Sequence, residues 1–258
     1  MDCQSYAKNK EIENIIIPEG ITRIPENTFD QCSNLKEVRL PDSLEEICDM
    51  AFSGCMALER IHVPAGVNSI GPQAFTYCMG LKAIDVSEDN LDYSSDCGVL
   101  YDAFQSVLVK YPAGLTGEAI LPDGLFEIGE WAFEWSAVSR IAIPDGVTRI
   151  GSRAFSGCAK VEEIKIPETV TRIGDQAFFG CRSLKELTIP DGVMILERAA
   201  FYNCSNLEKL YIPDSVSNLD SWVFEGCPKL TVYCPDGSYT WEYCEACGVP
   251  HEACRDSE

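Results

Sequence analysis

The sequence repeats itself with a period of about 23 residues, and this period constrains the fold more than any other feature. Prolines recur at this step, and phenylalanines recur in phase with a cysteine three residues after most of them. The prolines are Pro18, Pro41 and Pro64, then Pro144, Pro167, Pro190 and Pro213; the phenylalanines are Phe29, Phe52, Phe75, Phe133, Phe155, Phe178, Phe201 and Phe224; the cysteines are Cys32, Cys55, Cys78, Cys158, Cys181, Cys204 and Cys227, with Ser136 in the remaining place. Such a period is typical of solenoid proteins, in which neighbouring coils bury a shared core.

A single repeat, residues 165–190, predicts two short strands. Residues 187–189 alternate and end at Pro190, which cannot donate to a strand ladder. Residues 170–173 form the second strand, which Gly174 closes. Ordering a residue costs roughly 1.5 kcal/mol, whereas burying an apolar side chain returns about 1.5–3 kcal/mol. One coil is therefore unstable alone, and its stability has to come from stacking.

Two segments depart from the repeat. The 58 residues from Pro64 to Pro122 exceed one coil, and runs 98–101 and 106–112 around 102–105 predict a β-hairpin insert. After residue 235, Ser238 is a candidate N-cap and Gly248 a candidate C-terminal glycine, so a short helix is predicted between them. Tyr239, Tyr243 and Cys244 are expected to share one face of that helix. It would cover the open end of the last coil.

The unit "IPxxVTxIGxxAFxGCxxLxxIxIP" resembles the BspA-like leucine-rich repeats of bacteria. The segments "DCGVLYDAFQSVLVKYPAG" (96–114) and "PDGSYTWEYCEACGVPHE" are similar to that family's hairpin coil and terminal helix. The resemblance covers about residues 12–252 and implies a β-rich leucine-rich-repeat solenoid without an active site. It also implies display on a cell surface and binding of host or bacterial proteins.

We accordingly predict one solenoid domain over residues 1–258. Its parts are N-terminal coils at 11–86, the hairpin insert at 87–118, C-terminal coils at 119–235, and the capping helix and tail at 236–258. We expect the protein to be a monomer.

The net charge of −21 argues against several partners. A strongly negative field repels nucleic acid and anionic membrane surfaces. No apolar run approaches the about 18 residues that span a bilayer, so no membrane insertion is expected. Residues 1–10 show no signal peptide. The sequence thus predicts a cytoplasmic protein if Met1 is native, whereas the resemblance implies a secreted or surface protein.

The cysteines fall into two sets, each with its own interpretation. The in-phase set is expected to consist of reduced, buried thiols, because identical positions in every coil indicate identical packing. A different set, Cys244, Cys247, His251 and Cys254, has residue types that bind zinc, although its spacing is short and capping accounts for the segment. No cofactor is expected.

The outward positions of the strands vary from coil to coil, which is typical of a recognition surface. We predict binding through Arg39, His62, Asp85, Lys165, Thr188 and Tyr211, together with Trp131 and Trp135 near the insert. Trp135 either packs against the hairpin or anchors a partner, since Trp dominates interface hot spots. No catalytic motif is present, and His62 lies in the variable row, so no enzyme is predicted. The predicted function is protein binding, in adhesion or host interaction; the alternative is a structural spacer within a larger surface protein.

Overall fold

The computed structural model describes residues 6–254, and its internal contacts divide the chain into two compact units. Unit 1 comprises Met1–Leu115 and Trp131–Ser136, and unit 2 comprises Thr116–Glu130 and Ala137–Glu258. Each unit is a β-solenoid built from short parallel strands, which confirms the predicted fold class. The expectation of one continuous domain stays a prediction.

Unit 1 stacks its coils through two sets of parallel strands and ends in an antiparallel meander. The pairs β1–β3 and β5–β7 carry the outward row, and β2–β4–β6 form the second set. The strands are β1 (Asn14–Ile16), β2 (Arg23–Ile24), β3 (Glu37–Arg39), β4 (Glu46–Ile47), β5 (Arg60–Val63), β6 (Ser69–Ile70), β7 (Ala83–Val86), β8 (Tyr93–Asp96), β9 (Val99–Asp102) and β10 (Val107–Lys110).

Unit 2 repeats this plan with longer ladders. The orders β11–β13–β15 and β17–β19–β21–β22 carry the outward row, and β12–β14–β16–β18–β20 form the second set, all parallel. The elements are β11 (Thr116–Ala119), β12 (Glu127–Ile128), β13 (Ala137–Ala142), β14 (Arg149–Ile150), β15 (Glu163–Lys165), β16 (Arg172–Ile173), β17 (Glu186–Thr188), β18 (Ile195–Leu196), β19 (Lys209–Tyr211), β20 (Asn218–Leu219), β21 (Thr231–Cys234), α1 (Tyr239–Cys247) and β22 (His251–Ala253).

The predicted hairpin is confirmed and is part of a larger motif. β9 and β10 pair antiparallel as expected, and β8 adds a third strand that the sequence analysis missed. The buried amide of Asn90 joins this meander to the preceding coil, because it donates to the carbonyls of Pro64 and Val67 at 2.9 and 2.8 Å. The Tyr93 hydroxyl also accepts from the Ile70 amide at 2.9 Å.

The in-phase phenylalanines form the core. In unit 1 the rings of Phe29 and Phe52 stack with centroids 5.2 Å apart, and in unit 2 Phe178 stacks on Phe155 and on Phe201, each at 5.2 Å. All five rings are fully buried. The strict period therefore reflects a ladder in which each ring packs on its equivalent in the next coil.

The in-phase cysteines form a second ladder beside the rings. The thiol of Cys204 donates to the Phe178 carbonyl of the preceding coil at 3.0 Å, and Cys78 donates likewise to Phe52 at 3.1 Å. Every cysteine that the structure describes is a thiol. Burial raises the pKa of the Cys78 thiol to about 12, so the neutral form is strongly favoured.

A third face of each coil consists of a turn in which two positions are left-handed in seven of the eight coils, and one position is left-handed in the coil of Phe75. One position lies two residues before the core phenylalanine and the other two residues after it, and the second has a positive φ in all eight coils. Glycine suits such positions best. The turns are joined by backbone bonds such as Gly180 N–H to the Tyr202 carbonyl at 2.8 Å and Asn203 N–H to the Glu225 carbonyl at 2.8 Å. Side chains on this face consequently form columns, one member per coil.

The C-terminal helix spans Tyr239–Cys247, as predicted. The Ser238 hydroxyl accepts from the Trp241 amide, and Gly248 is left-handed with φ of 68°. The predicted face was wrong in one member, because the helix buries Thr240 and Cys244 while Tyr239 is 44% exposed. Thr240 and Cys244 lie one helical turn apart, so they share the buried face of the helix.

Candidate functional site

The predicted binding row lies on one face of the strands within each unit. In unit 1, Arg39 is exposed beside Ile16 and forms an ion pair with Glu37, while His62 pairs in register with Asp85. Asp85 is half-buried and accepts from Arg60 at 2.6 Å. The unit 1 row therefore has balanced charge.

In unit 2, the row residues lie on β15, β17, β19 and β21. Lys165 stands beside Ala142, and Thr188, Tyr211 and Tyr233 are aligned in register. The structure thus brings the predicted Thr188 and Tyr211 together and adds Tyr233. The sequence signal for Tyr233 was weak, because Tyr233 follows Leu230 by three residues, whereas Tyr211 follows Leu207 by four.

Thr188, Tyr211 and Tyr233 line an open groove in unit 2 with a volume of about 870 Å³, which we call the acidic groove. The Tyr211 and Tyr233 rings stack in it with centroids 4.9 Å apart and planes inclined by 24°. The full set of lining residues is Glu186, Thr188, Ile189, Asp191, Tyr211, Ile212, Pro213, Asp214, Tyr233, Pro235, Ala253 and Cys254.

The charge of this groove has a single sign. Its described lining includes the carboxylates of Glu186, Asp191 and Asp214 and no lysine, arginine or histidine. Lys209 approaches Glu186 only at 3.9 Å, from outside the lining. A groove with an aromatic pair and three carboxylates favours a cationic ligand, because the field is attractive and the rings bind cations over their faces.

β22 completes the groove at the end of unit 2. Its register places Glu252 beside Tyr233 and Ala253 beside Cys234, and the Cys254 amide donates to the Cys234 carbonyl at 2.9 Å. This strand could not be predicted from the sequence, because it is only three residues long, follows a helix and carries no repeat signal.

The two predicted tryptophans lie in unit 1. Trp135 is half-buried, and its ring contacts that of Tyr77 with centroids 5.2 Å apart. Its indole N–H donates to one oxygen of the buried Glu134 carboxylate at 3.1 Å, and the Thr76 hydroxyl donates to the other oxygen. Trp131 is half-buried, and its carbonyl accepts from the Lys110 ammonium at 2.8 Å.

The zinc candidates occupy different environments. Cys244 is a buried residue of α1, Cys247 is exposed at the end of that helix, and His251 lies in β22 with its ring edge-on to Trp241 at 4.4 Å. Cys254 follows that strand. Across residues 6–254, no three His, Cys, Asp or Glu side chains are placed to hold a metal ion together.

The comparisons with known proteins agree with this architecture. The sequence profile of the BspA type Leucine rich repeat region matches residues 2–100 and 115–235, in 6 copies. The chain belongs to the BspA-type leucine-rich repeat family. The predicted resemblance is confirmed.

Solved structures of bacterial leucine-rich proteins share the fold. A leucine rich cell surface protein from Faecalibacterium prausnitzii is 32% identical with a TM-score of 0.80; the match covers 93% of this chain and 64% of that protein. The pneumococcal vaccine antigen PcpA is 23% identical with a TM-score of 0.82, covering 96% and 69% of the two chains. A leucine-rich repeat protein from Eubacterium ventriosum is 24% identical with a TM-score of 0.66, covering 86% and 72%. This BspA-type chain thus spans just under two thirds of the Faecalibacterium protein.

A search of curated proteins finds no match to the sequence. Among residues 6–254, the structure contains no helix with the length and apolar character needed to cross a membrane.

Proposed function

We propose that this BspA-type chain is a non-enzymatic protein-binding module and that the acidic groove of unit 2 is its binding surface. The observation that carries the proposal is the Tyr211–Tyr233 stack, which lies in a groove whose charged lining residues are all carboxylates. Tyrosine supplies a large contact area at low entropic cost and is enriched in interface hot spots.

The partner that fits this groove is a protein segment rich in lysine or arginine. Carboxylates at the rim attract such a segment during encounter, and a guanidinium or ammonium group can then lie over a tyrosine ring. The chain's charge of −21 supports the same sign of partner and disfavours nucleic acid. We further propose that this binding serves adhesion or host interaction; a location at the cell surface is supported by the description of the Faecalibacterium protein as a leucine rich cell surface protein.

A peptide-display selection tests the proposal. The unmodified chain and a Tyr211→Thr variant are each used to select binders from a random peptide library. Threonine is the residue at the equivalent position of the preceding coil, Thr188, so the substitution suits the fold. We expect the unmodified chain to enrich peptides with lysine and arginine, and the variant to bind them at least tenfold more weakly.

The control variant is Met194→Ala, an exposed apolar substitution on unit 2 away from the groove lining. It should bind as the unmodified chain does. Enrichment of the same peptides by both the Tyr211→Thr variant and the unmodified chain would refute the groove as the site. Absence of any enrichment would favour the structural spacer.

A further inference from the structure

A second groove of unit 2, on the turn face, is lined by three aromatic side chains from three successive coils. Phe179 and Tyr202 stack with centroids 5.5 Å apart and planes inclined by 3°, and Trp222 belongs to the next coil. The groove has a volume of about 610 Å³, within the range of small-ligand sites. It shares no lining residue with the acidic groove.

Trp222 is not explained by folding. The residue is 59% exposed, so most of its surface gains nothing from burial, and its φ of 60° is a conformation that a bulky side chain disfavours. The equivalent positions of the two preceding coils hold Ala199 and Gln176, with φ of 54° and 53°. A smaller side chain therefore occupies the same conformation in the same fold.

The polar side chains around these rings end in planar groups, each of which can form two parallel hydrogen bonds to one partner. Arg198 donates to both oxygens of Asp175 at 2.9 and 3.4 Å, and the Gln176 amide donates to the same carboxylate at 3.0 Å. These contacts hold the guanidinium and the amide in fixed orientations. The Glu225 carboxylate lines the groove from the last coil and is exposed.

We propose that this groove, which we call the aromatic groove, binds an uncharged carbohydrate chain. The C–H face of a sugar ring packs on an aromatic face, whose π-electrons attract the weakly positive hydrogens. The hydroxyl groups at the edge of the ring donate and accept in pairs, which suits an amide, a guanidinium and a carboxylate. The net charge of −21 disfavours acidic polysaccharides and leaves neutral ones.

The size of the groove favours a glycan over a folded protein partner. A stable protein interface covers about 800 Å² on each partner. The aromatic groove is built from seven residues of three coils and is bounded by the Arg198–Asp175 pair. A chain molecule that presents one or two rings at a time fits such a short platform.

Affinity electrophoresis in native gels tests the proposal with defined probes. The gels contain a soluble uncharged polysaccharide, in turn a β-glucan, a xyloglucan, a galactomannan and an amylopectin. We expect at least one polymer to retard the unmodified chain, and titration calorimetry with an oligosaccharide of that polymer to give a measurable Kd.

Two variants replace an aromatic residue by the residue found at the equivalent position of another coil. Trp222→Ala introduces the residue type found at position 199, and Tyr202→Ser introduces the type found at position 156. Each should weaken sugar binding at least tenfold while the melting temperature stays close to that of the unmodified chain. Tyr211→Thr, in the acidic groove, should leave sugar binding unchanged, which separates this proposal from the proposed function.

Three results would overturn the proposal. They are the absence of retardation by all four polymers, equal retardation of the unmodified chain and of both aromatic variants, and Trp222-dependent binding of tetramethylammonium chloride without sugar binding. The last result would assign the aromatic groove to an organic cation.

Discussion

The left-handed turn residues affect the stability of each coil through their backbone conformation. Glycine adopts this conformation without strain, whereas in other residues it raises the conformational free energy by about 1–2 kcal/mol. Gly180 has φ of 69°, and a Cβ added to it would meet no heavy atom within 4 Å. Gln31 holds the same position in a coil of unit 1, is exposed, and has φ of 58°.

This pair of sites yields opposite predictions. Gly180→Ala should lower the free energy of unfolding by about 1 kcal/mol, because alanine must adopt the unfavourable left-handed conformation. Since the added Cβ meets no neighbouring atom, a steric clash would not contribute to this loss. Gln31→Gly should raise it by about 1 kcal/mol for the converse reason. Urea unfolding of both variants measures the two effects; equal signs would show that the backbone conformation is not what these positions control.

The thiol ladder predicts that the fold weakens at alkaline pH. Burial raises the pKa of Cys78 from 9.0 to about 12, and burial likewise raises the pKa of Cys55. A thiol whose pKa is higher in the folded state stabilises that state fully below about pH 9. This contribution is lost as the pH rises toward about 12, because the unfolded chain ionises first.

The measurement is the free energy of unfolding from neutral pH to about pH 11 under reducing conditions. We expect it to fall above about pH 9, and to fall less steeply in Cys78→Ser, whose hydroxyl does not ionise in this range. Serine can still donate to the Phe52 carbonyl, so the variant should fold. A constant stability across this range would contradict the proposed burial of the thiols.

At the scale of elements, the strands that recur with the repeat period could be predicted from the sequence. The strands predicted at 170–173 and 187–189 are present as β16, which is limited to Arg172–Ile173, and β17, which is shifted by one residue to Glu186–Thr188. The β9–β10 hairpin and both ends of α1 follow from glycine and capping signals. β8 and β22 were not predicted, because each occurs once in the chain and lies outside the repeat period. Trp222 could have been noticed by comparing turn positions between coils, where its neighbours are small or polar.

The two ends of the chain cover their coils unequally. In unit 2, α1 buries Cys244, and Phe224 of the last coil contacts Tyr243 edge-on at 6.0 Å. β22 also pairs with β21. In unit 1, the described part of the N-terminal segment covers the first coil with one ring, as Tyr6 lies 5.5 Å from Phe29.

Deleting the residues after Pro235 should therefore destabilise the protein more than deleting residues 1–10. The first deletion removes both the helix and a paired strand and exposes the buried Val232 and Phe224. The second removes the Tyr6 ring contact and the hydrogen bonds that join residues 6–10 to the first coil, such as that from the Cys32 thiol to the Tyr6 carbonyl, but no helix and no paired strand. Thermal melting of both truncated chains measures the difference, and equal melting temperatures would show that α1 is not a cap.

At the scale of the whole molecule, the fold could be predicted from the sequence, whereas the groove that we propose as the binding surface could not. Core positions are nearly invariant because rings and thiols stack on their equivalents, so the period alone reveals them. The variable row gave Thr188 and Tyr211 but also residues such as Arg39, whose charge is paired. Which outward residues form a groove depends on the spacing of coils and on β22, which no local pattern encodes.

The most direct test of the central claim is to map where a selected basic peptide contacts the chain. Amide and side-chain NMR signals are followed while the peptide is added at low and at high salt. The account predicts shifts at Thr188, Tyr211 and Tyr233, with an affinity that falls as salt screens the carboxylates of the acidic groove. Shifts confined to other surfaces, such as that of Trp135 and Tyr77, would contradict it.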